Sequence, residues 1–238
     1  MGIEPDVSVI VFTGETLWMH PSNPVAGRAL IRLGTDQGWK MAVTSDPGVF
    51  TPERLAVTDA VVFAVTSGEV LDDPARAALE VFFTAGGGFV GIHSASATEM
   101  TWPFYTEKLV PVRFRTHPYP NNVLPGRLTH ESEHPILADL PNPWQRTDEF
   151  YTFQERPEDL GLTLLLALDE SSMGPDYTSE FRVGYHPIAF THERSGGRTF
   201  YTALGHTPES YAEPEFLMSI ESAIAWVSEP RHATRASL

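Results

Sequence analysis

Gly86-Gly87-Gly88-Phe89-Val90-Gly91-Ile92-His93-Ser94-Ala95-Ser96 is the stretch on which the reading of this chain turns. Glycines close a helix, a short apolar run follows, and the run stops at a histidine flanked by small residues. In an open α/β sheet, a strand that ends this way leaves its last side chain at the carboxyl edge, where such folds bind ligands. Nucleophile-elbow proteins put Ser or Cys on the same sharp turn between strand and helix. Here the position holds imidazole, so His93 is the first candidate for chemistry; the plainer reading is a hydrogen-bonded histidine at the edge of the core.

On the amino-terminal side, residues 7–12 and 58–65 are continuous apolar, β-branched runs, the pattern of strands buried on both faces. Residues 39–43 read as a further strand. Asn23-Pro24 reads as an N-cap followed by a proline in the first turn, with Ala26, Ala29, Leu30 and Leu33 on one face, and Asp72-Asp73-Pro74 opens a second amphipathic helix. Strands alternating with amphipathic helices predict βαβ units: an α/β fold with a mostly parallel central sheet and helices on both faces. On the carboxyl side, residues 98–143 are rich in Pro, His and aromatics and read as an irregular insertion walling the carboxyl edge. Residues 162–168 read as a buried strand, and residues 187–192 and 198–204, joined by Ser195-Gly196-Gly197, as a hairpin. A last helix begins at Pro214, with a frayed tail at 230–238. One domain over residues 1–238 is expected.

Sixteen Lys and Arg against 31 Asp and Glu give a formal charge of -15, which repels phosphate backbones and anionic lipid; neither nucleic acid nor membrane is an expected partner. The chain has no cysteine, which removes disulfides, thiolate zinc sites and thiolate nucleophiles. The first residues lack the basic flank and apolar core of an export signal, so a cytoplasmic location is expected, with assembly into a homo-oligomer left open.

Three histidines share one structural address. His20 follows the first strand, His93 ends the fourth, and His206 ends the second hairpin strand; parallel strands would bring all three to one cleft. Asp148 and Glu149 precede Phe150-Tyr151-Thr152-Phe153, and carboxylates beside aromatics suit a sugar, whose hydroxyls need acceptors and whose ring faces are apolar. The alternative is a strand with solvated acids and core rings. His117 and His186, each before a proline, are candidate wall residues; His130 and His134 read as surface, His192 and His232 as bland.

Taken as an ordered set, Phe89-Val90-Gly91-Ile92-His93-Ser94-Ala95, His117-Pro118, Asp148-Glu149-Phe150-Tyr151-Thr152-Phe153, His186-Pro187-Ile188-Ala189 and the segment 197–206 resemble the ThuA-like (trehalose utilisation) family. The resemblance implies a three-layer, flavodoxin-like fold of the class I glutamine amidotransferase-like superfamily. Amidotransferases of that fold carry a Cys-His-Glu triad; Gly91-Ile92-His93 puts His at the cysteine position, so thiolate glutaminase chemistry is excluded. The family is linked to disaccharide catabolism beside dehydrogenases that make 3-keto sugars, and some members look like zinc binders.

The working expectation is an enzyme acting on an oxidised sugar, with His93, Glu149 and His206 catalytic. His20, Ser94, His117, Asp148, Tyr151 and His186 would contact substrate, and His20, His93 and His206 would hold a divalent metal such as zinc; no nucleotide cofactor is expected. Isomerisation, elimination and hydrolysis by metal-activated water remain open as reactions. The alternative from another class is a silent module that binds a sugar or a partner on an amidotransferase-like scaffold.

Overall fold

A nine-stranded sheet runs through the protein, in a computed structural model that describes residues 7–174 and 177–236. Its first half comes from strands β1 (Ser8–Phe12), β2 (Lys40–Thr44), β3 (Ala60–Ala64) and β4 (Gly88–Ile92), connected through helices α1 (Asn23–Gln37), α2 (Pro52–Ala56) and α3 (Asp73–Thr84). The second half comes from β6 (Val123–His130), β7 (Trp144–Glu149), β9 (Thr163–Asp169), β10 (Pro187–Arg194) and β11 (Gly197–Thr202), and the chain ends in α4 (Pro214–Ala236). Short strands β5 (Phe114–Thr116) and β8 (Thr152–Phe153) pair apart from the main sheet.

The strand order is β2-β1-β3-β4-β11-β10-β9-β6-β7. From β2 to β11 every pairing is parallel, and from β11 to β7 every pairing is antiparallel. The sheet is therefore mixed: the parallel expectation is met in the half that holds β4, and the hairpin return of β10 reverses the rest. Strand direction then dictates where chemistry can gather. β1, β4 and β11 all finish on one edge, and counting the antiparallel steps back from β11 brings the end of β7 out on that edge too.

Alternation along the strands divides the core. Val9 and Val11 of β1 join a cluster with Ala26, Leu30 and Leu33 of α1 and Ile220, Ile224 and Val227 of α4, whereas Ile10 and Phe12 join one with Leu55 of α2 and Leu79, Phe82 and Phe83 of α3. α4 lies hard against β4, because Gly88 has no Cβ where one would stand 2.5 Å from the Val227 carbonyl oxygen. No helix among the described residues is long and apolar enough to cross a membrane.

Three expectations need correcting. Asn23 does not cap α1; Ser22 occupies that position without a capping bond, and the buried Asn23 amide donates instead to the Thr13 carbonyl at 3.0 Å, tying the exit of β1 to the helix. Residues 98–143 are not a wholly irregular insertion, since they supply β6, an interior strand of the main sheet between β9 and β7. The tail continues α4 to Ala236, because Arg231 donates to the Thr58 carbonyl at 2.8 Å and the Leu55 carbonyl at 3.0 Å; residues 237 and 238 lie outside the described residues.

One core histidine makes the fold sensitive to acid. His192 of β10 is 5% exposed, donates from Nε2 to the Leu109 carbonyl at 3.1 Å, and is pushed by burial down to about 4. The unfolded chain takes up this proton near pH 6.5, so stability present above that value is lost as pH falls toward the folded value. By pH 5 the loss is about 2 kcal/mol, or roughly 4–8 °C in Tm for a chain of this size. A His192→Gln chain should lose that much less between pH 7 and pH 5 in parallel thermal melts; equal losses would show that His192 contributes nothing to the acid limit.

Candidate active site

His93 begins where β4 stops, with φ of +54°, a left-handed backbone that costs a non-glycine residue about 1–3 kcal/mol. The turn is held from outside: the Tyr201 hydroxyl donates to the His93 carbonyl at 2.8 Å, and the Tyr105 hydroxyl donates to the Ala95 carbonyl at 2.8 Å. The ring is fully buried, and its Nδ1 faces the Ala203 carbonyl at 2.8 Å. Only an N–H can satisfy that carbonyl, so Nε2 carries the lone pair that points toward the site.

His20 lies on the loop after β1, and its backbone N–H and ring Nδ1–H both donate to Glu15 Oε1, at 2.9 and 3.0 Å. In the neutral ring Nε2 then carries the lone pair, and the ring is oriented by a carboxylate as ligand histidines commonly are. His206 follows β11, and its position is set by Asp148, whose carboxylate accepts from the backbone N–H groups of Gly205 at 2.9 Å and His206 at 3.1 Å. Glu149 is the last residue of β7 and arrives on the same edge.

The four side chains meet. His206 Nδ1 is 3.1 Å from His93 Nε2, and Glu149 Oε2 lies 3.3 Å from His93 Nε2 and 3.2 Å from His206 Nδ1. The His20 ring centroid is 5.2 Å from that of His93 and 5.5 Å from that of His206. Tyr151 donates its phenol proton to His93 Nε2 at 2.8 Å, and Asn122 donates to the other oxygen of Glu149. Above this group opens a cavity of about 280 Å³ walled by Trp18, Met19, Phe114 and His117. A wider groove of about 890 Å³ lies elsewhere, along residues 130–142, without a comparable cluster of donors among the described residues.

Burial and mutual charge set the protonation states. Burial, reinforced by the charges of His206 and His20, lowers His93 despite the nearby Glu149, so it rests neutral. Burial also opposes the charged form of His206, but Glu149 and Asp148 outweigh it and raise this imidazole above its usual value. Burial alone would raise Glu149; the hydrogen bond from His206 and the neighbouring imidazoles hold it far below the carboxylate range, fully ionised. Burial and then the Glu149 charge push the Tyr151 phenol well up, so it remains a proton donor.

The donor set suits a divalent cation. His20, His93 and His206 each offer an atom within 4.8 Å of the others'. Tetrahedral ligands at zinc distances stand about 3.3 Å apart, close to the 3.1 Å separating His93 Nε2 and His206 Nδ1. A set of imidazoles and a carboxylate is the chemistry that holds zinc or a similar ion.

Not every expected residue faces the cavity. His117 does, with Nδ1 3.5 Å from Glu149 Oε1, as do His20 and Tyr151. Ser94, Asp148 and His186 do not, and their assignment to substrate is corrected. Ser94 is fully buried in the turn after His93, and Asp148 is consumed by backbone donors and Arg146. His186 sits behind the wall, with Nε2 donating to the Tyr151 carbonyl at 3.0 Å and Nδ1 3.0 Å from Glu170. Glu15, Asn122, Trp18 and Phe114 went unread, because nothing in their local sequence separates a loop acid or a lone ring from ordinary surface and core.

Two solved structures share the architecture. A protein described as ThuA-like from Bacteroides uniformis superposes with a TM-score of 0.75 at 19% identity, covering 93% of this chain and 91% of that one. A ThuA-like protein from Parabacteroides merdae gives 0.73 at 16% identity, covering 93% and 90%. A comparison of the sequence with curated proteins finds no match. The family model described as ThuA, trehalose utilisation, matches residues 8–227, which takes in all four converging side chains, and the chain therefore belongs to the ThuA family.

Proposed function

We propose that this protein is a carbohydrate-catabolism enzyme that acts on an oxidised, 3-keto sugar ring by acid/base chemistry with a divalent metal at His20, His93 and His206. The observation that carries the reading is the meeting of three imidazoles and an ionised carboxylate from four separate strand ends, with His20, His206 and Glu149 lining one cavity and His93 buried directly behind them. The two core clusters on opposite sides of the sheet support the accompanying fold reading, a three-layer flavodoxin-like member of the class I amidotransferase-like superfamily. Lack of cysteine fits replacement of the thiolate site by an imidazole one.

A bound divalent cation would polarise a ring ketone and make the neighbouring C–H acidic. The chain's own groups then divide the work. Glu149, held ionised beside the ring, takes the proton from C2. The C1–C2 double bond forms as the C1–O bond breaks, and the proton that Glu149 took from C2 passes to the departing oxygen, which leaves as an alcohol. Return of that proton to C3 instead, as the C2 hydroxyl passes its proton to the C3 oxygen and C2 becomes the carbonyl, gives isomerisation. Tyr151, kept protonated, donates to a substrate oxygen, and the apolar wall of Trp18, Met19 and Phe114 excludes water from the ring face.

Purified protein should carry close to one equivalent of zinc or a similar divalent ion, and turn over 3-keto-trehalose. Stripping the ion with a chelator should abolish turnover and re-addition restore it, with metal content read by elemental analysis. Protein that binds sugars yet turns over no keto sugar, loaded or stripped, would favour the silent binding module.

A further inference from the structure

We infer that the cavity takes only the reacting ring of a glycoside and that Trp18 and Met19 form an external platform for a second pyranose ring attached to it. The inference rests on the sugar reading above and deepens it by naming the side chains that would hold the second ring of an oxidised disaccharide.

Size is the first argument. A cavity of about 280 Å³ is at the small end of the range for small-molecule sites, which favours one ring inside and its neighbour at the mouth. Anything joined to the buried ring must leave through the mouth.

What it meets there is the second argument. Leu17, Trp18 and Met19 are the only three consecutive large apolar residues that are exposed among those described, with Trp18 at 45% and Met19 at 78%. Trp18 and Met19 also line the cavity, so the same two side chains run from its wall out onto the surface. An exposed apolar run is costly to leave in water, and an indole beside a sugar pocket offers the flat apolar face that pyranose C–H groups cover.

Rigidity is the third. The Trp18 backbone is clamped in both directions by Ser67, whose hydroxyl accepts from the Trp18 N–H at 3.0 Å and donates to the Trp18 carbonyl at 2.8 Å. Thr16 N–H donates to the Ser67 carbonyl at 2.9 Å. Gly68, at φ of +80°, leaves room for this loop to lie flat, since a Cβ there would stand 2.3 Å from Thr16 Oγ1. The indole and the Phe114 ring meet in a T-shaped contact with centroids 5.9 Å apart. The platform is thus preformed, and binding a ring on it needs no ordering of a loop.

Titration calorimetry with trehalose and glucose, whose unoxidised rings do not react, tests the platform without turnover. Wild-type protein should bind trehalose more tightly than glucose. Trp18→Ala should weaken trehalose about tenfold and glucose clearly less, so that the preference for trehalose falls, whereas Trp18→Phe should keep most of the preference and show that the fold is intact. Equal losses for both sugars, or no loss for either, would overturn the platform. So would a wild-type dimer in size-exclusion chromatography that Trp18→Ala splits, since a second copy would then cover the patch. Wild type that binds glucose as well as trehalose sinks this inference alone; wild type that binds neither sinks the sugar reading and the platform with it.

Discussion

Replacing His93 with alanine is expected to lower turnover of 3-keto-trehalose about a thousandfold, the usual order for losing a positioned acid/base or electrostatic group. The change removes the donor at the centre of the cluster: Nε2 of this ring is the atom that His206, Glu149 and Tyr151 all approach within 3.3 Å. Both kcat and kcat/KM should fall, since the loss is felt in the transition state and not in ground-state binding of the ring. Metal content should fall with them. His93→Gly separates chemistry from strain: glycine tolerates the φ of +54° that alanine does not, so the glycine chain should melt no lower than the alanine chain while remaining equally inactive. An alanine variant with a wild-type rate would remove His93 from the mechanism and leave the imidazole cluster a structural accident.

Much of this site could be read from the chain because one rule carried it. Parallel strands finish together, and His20, His93 and His206 each stand just past a run of buried, β-branched or aromatic residues that could only be such a strand. The residues that escaped had signals that competed. Val123-Leu124-Pro125-Gly126-Arg127-Leu128 alternates in burial along β6, but the proline and glycine mask a period of two that apolar residues would have shown. In β7 the buried positions include Arg146 and Asp148, charges where the pattern of a core strand calls for apolar side chains. A carboxylate beside aromatics reads as a sugar contact, and Asp148 was assigned to substrate on that ground; its real partners, Gly205 and His206, are far along the chain and invisible to local pattern. Glu149, its neighbour, differs only in pointing the other way along the pleat, which no residue type could announce.

Asp148→Ala is expected to be the most destabilising single change at this edge of the fold. The carboxylate is fully buried and accepts five hydrogen bonds: from the backbone of Glu149 at 3.0 Å, Gly205 at 2.9 Å and His206 at 3.1 Å, from the Ser210 hydroxyl at 3.1 Å and from Arg146 at 2.8 Å. Alanine strands three backbone donors and strips a buried guanidinium of one of its two carboxylates, leaving it Glu213 alone. Removing one member of a buried pair costs about 3–5 kcal/mol, a fall in Tm of roughly 6–20 °C for a chain of this length. Asp148→Asn keeps one carbonyl oxygen and the side-chain volume, and should fall between the two. The loop that carries His206 loses its anchor in the same stroke, so activity should drop in Asp148→Ala even at temperatures where the chain remains folded. Glu149→Gln gives the opposite signature, since its carboxylate faces the cavity: turnover lost, Tm little changed. Thermal melts of the two variants side by side therefore assign adjacent acids to different tasks, and an Asp148→Ala chain that melts with the wild type would show that His206 is positioned by something other than this carboxylate.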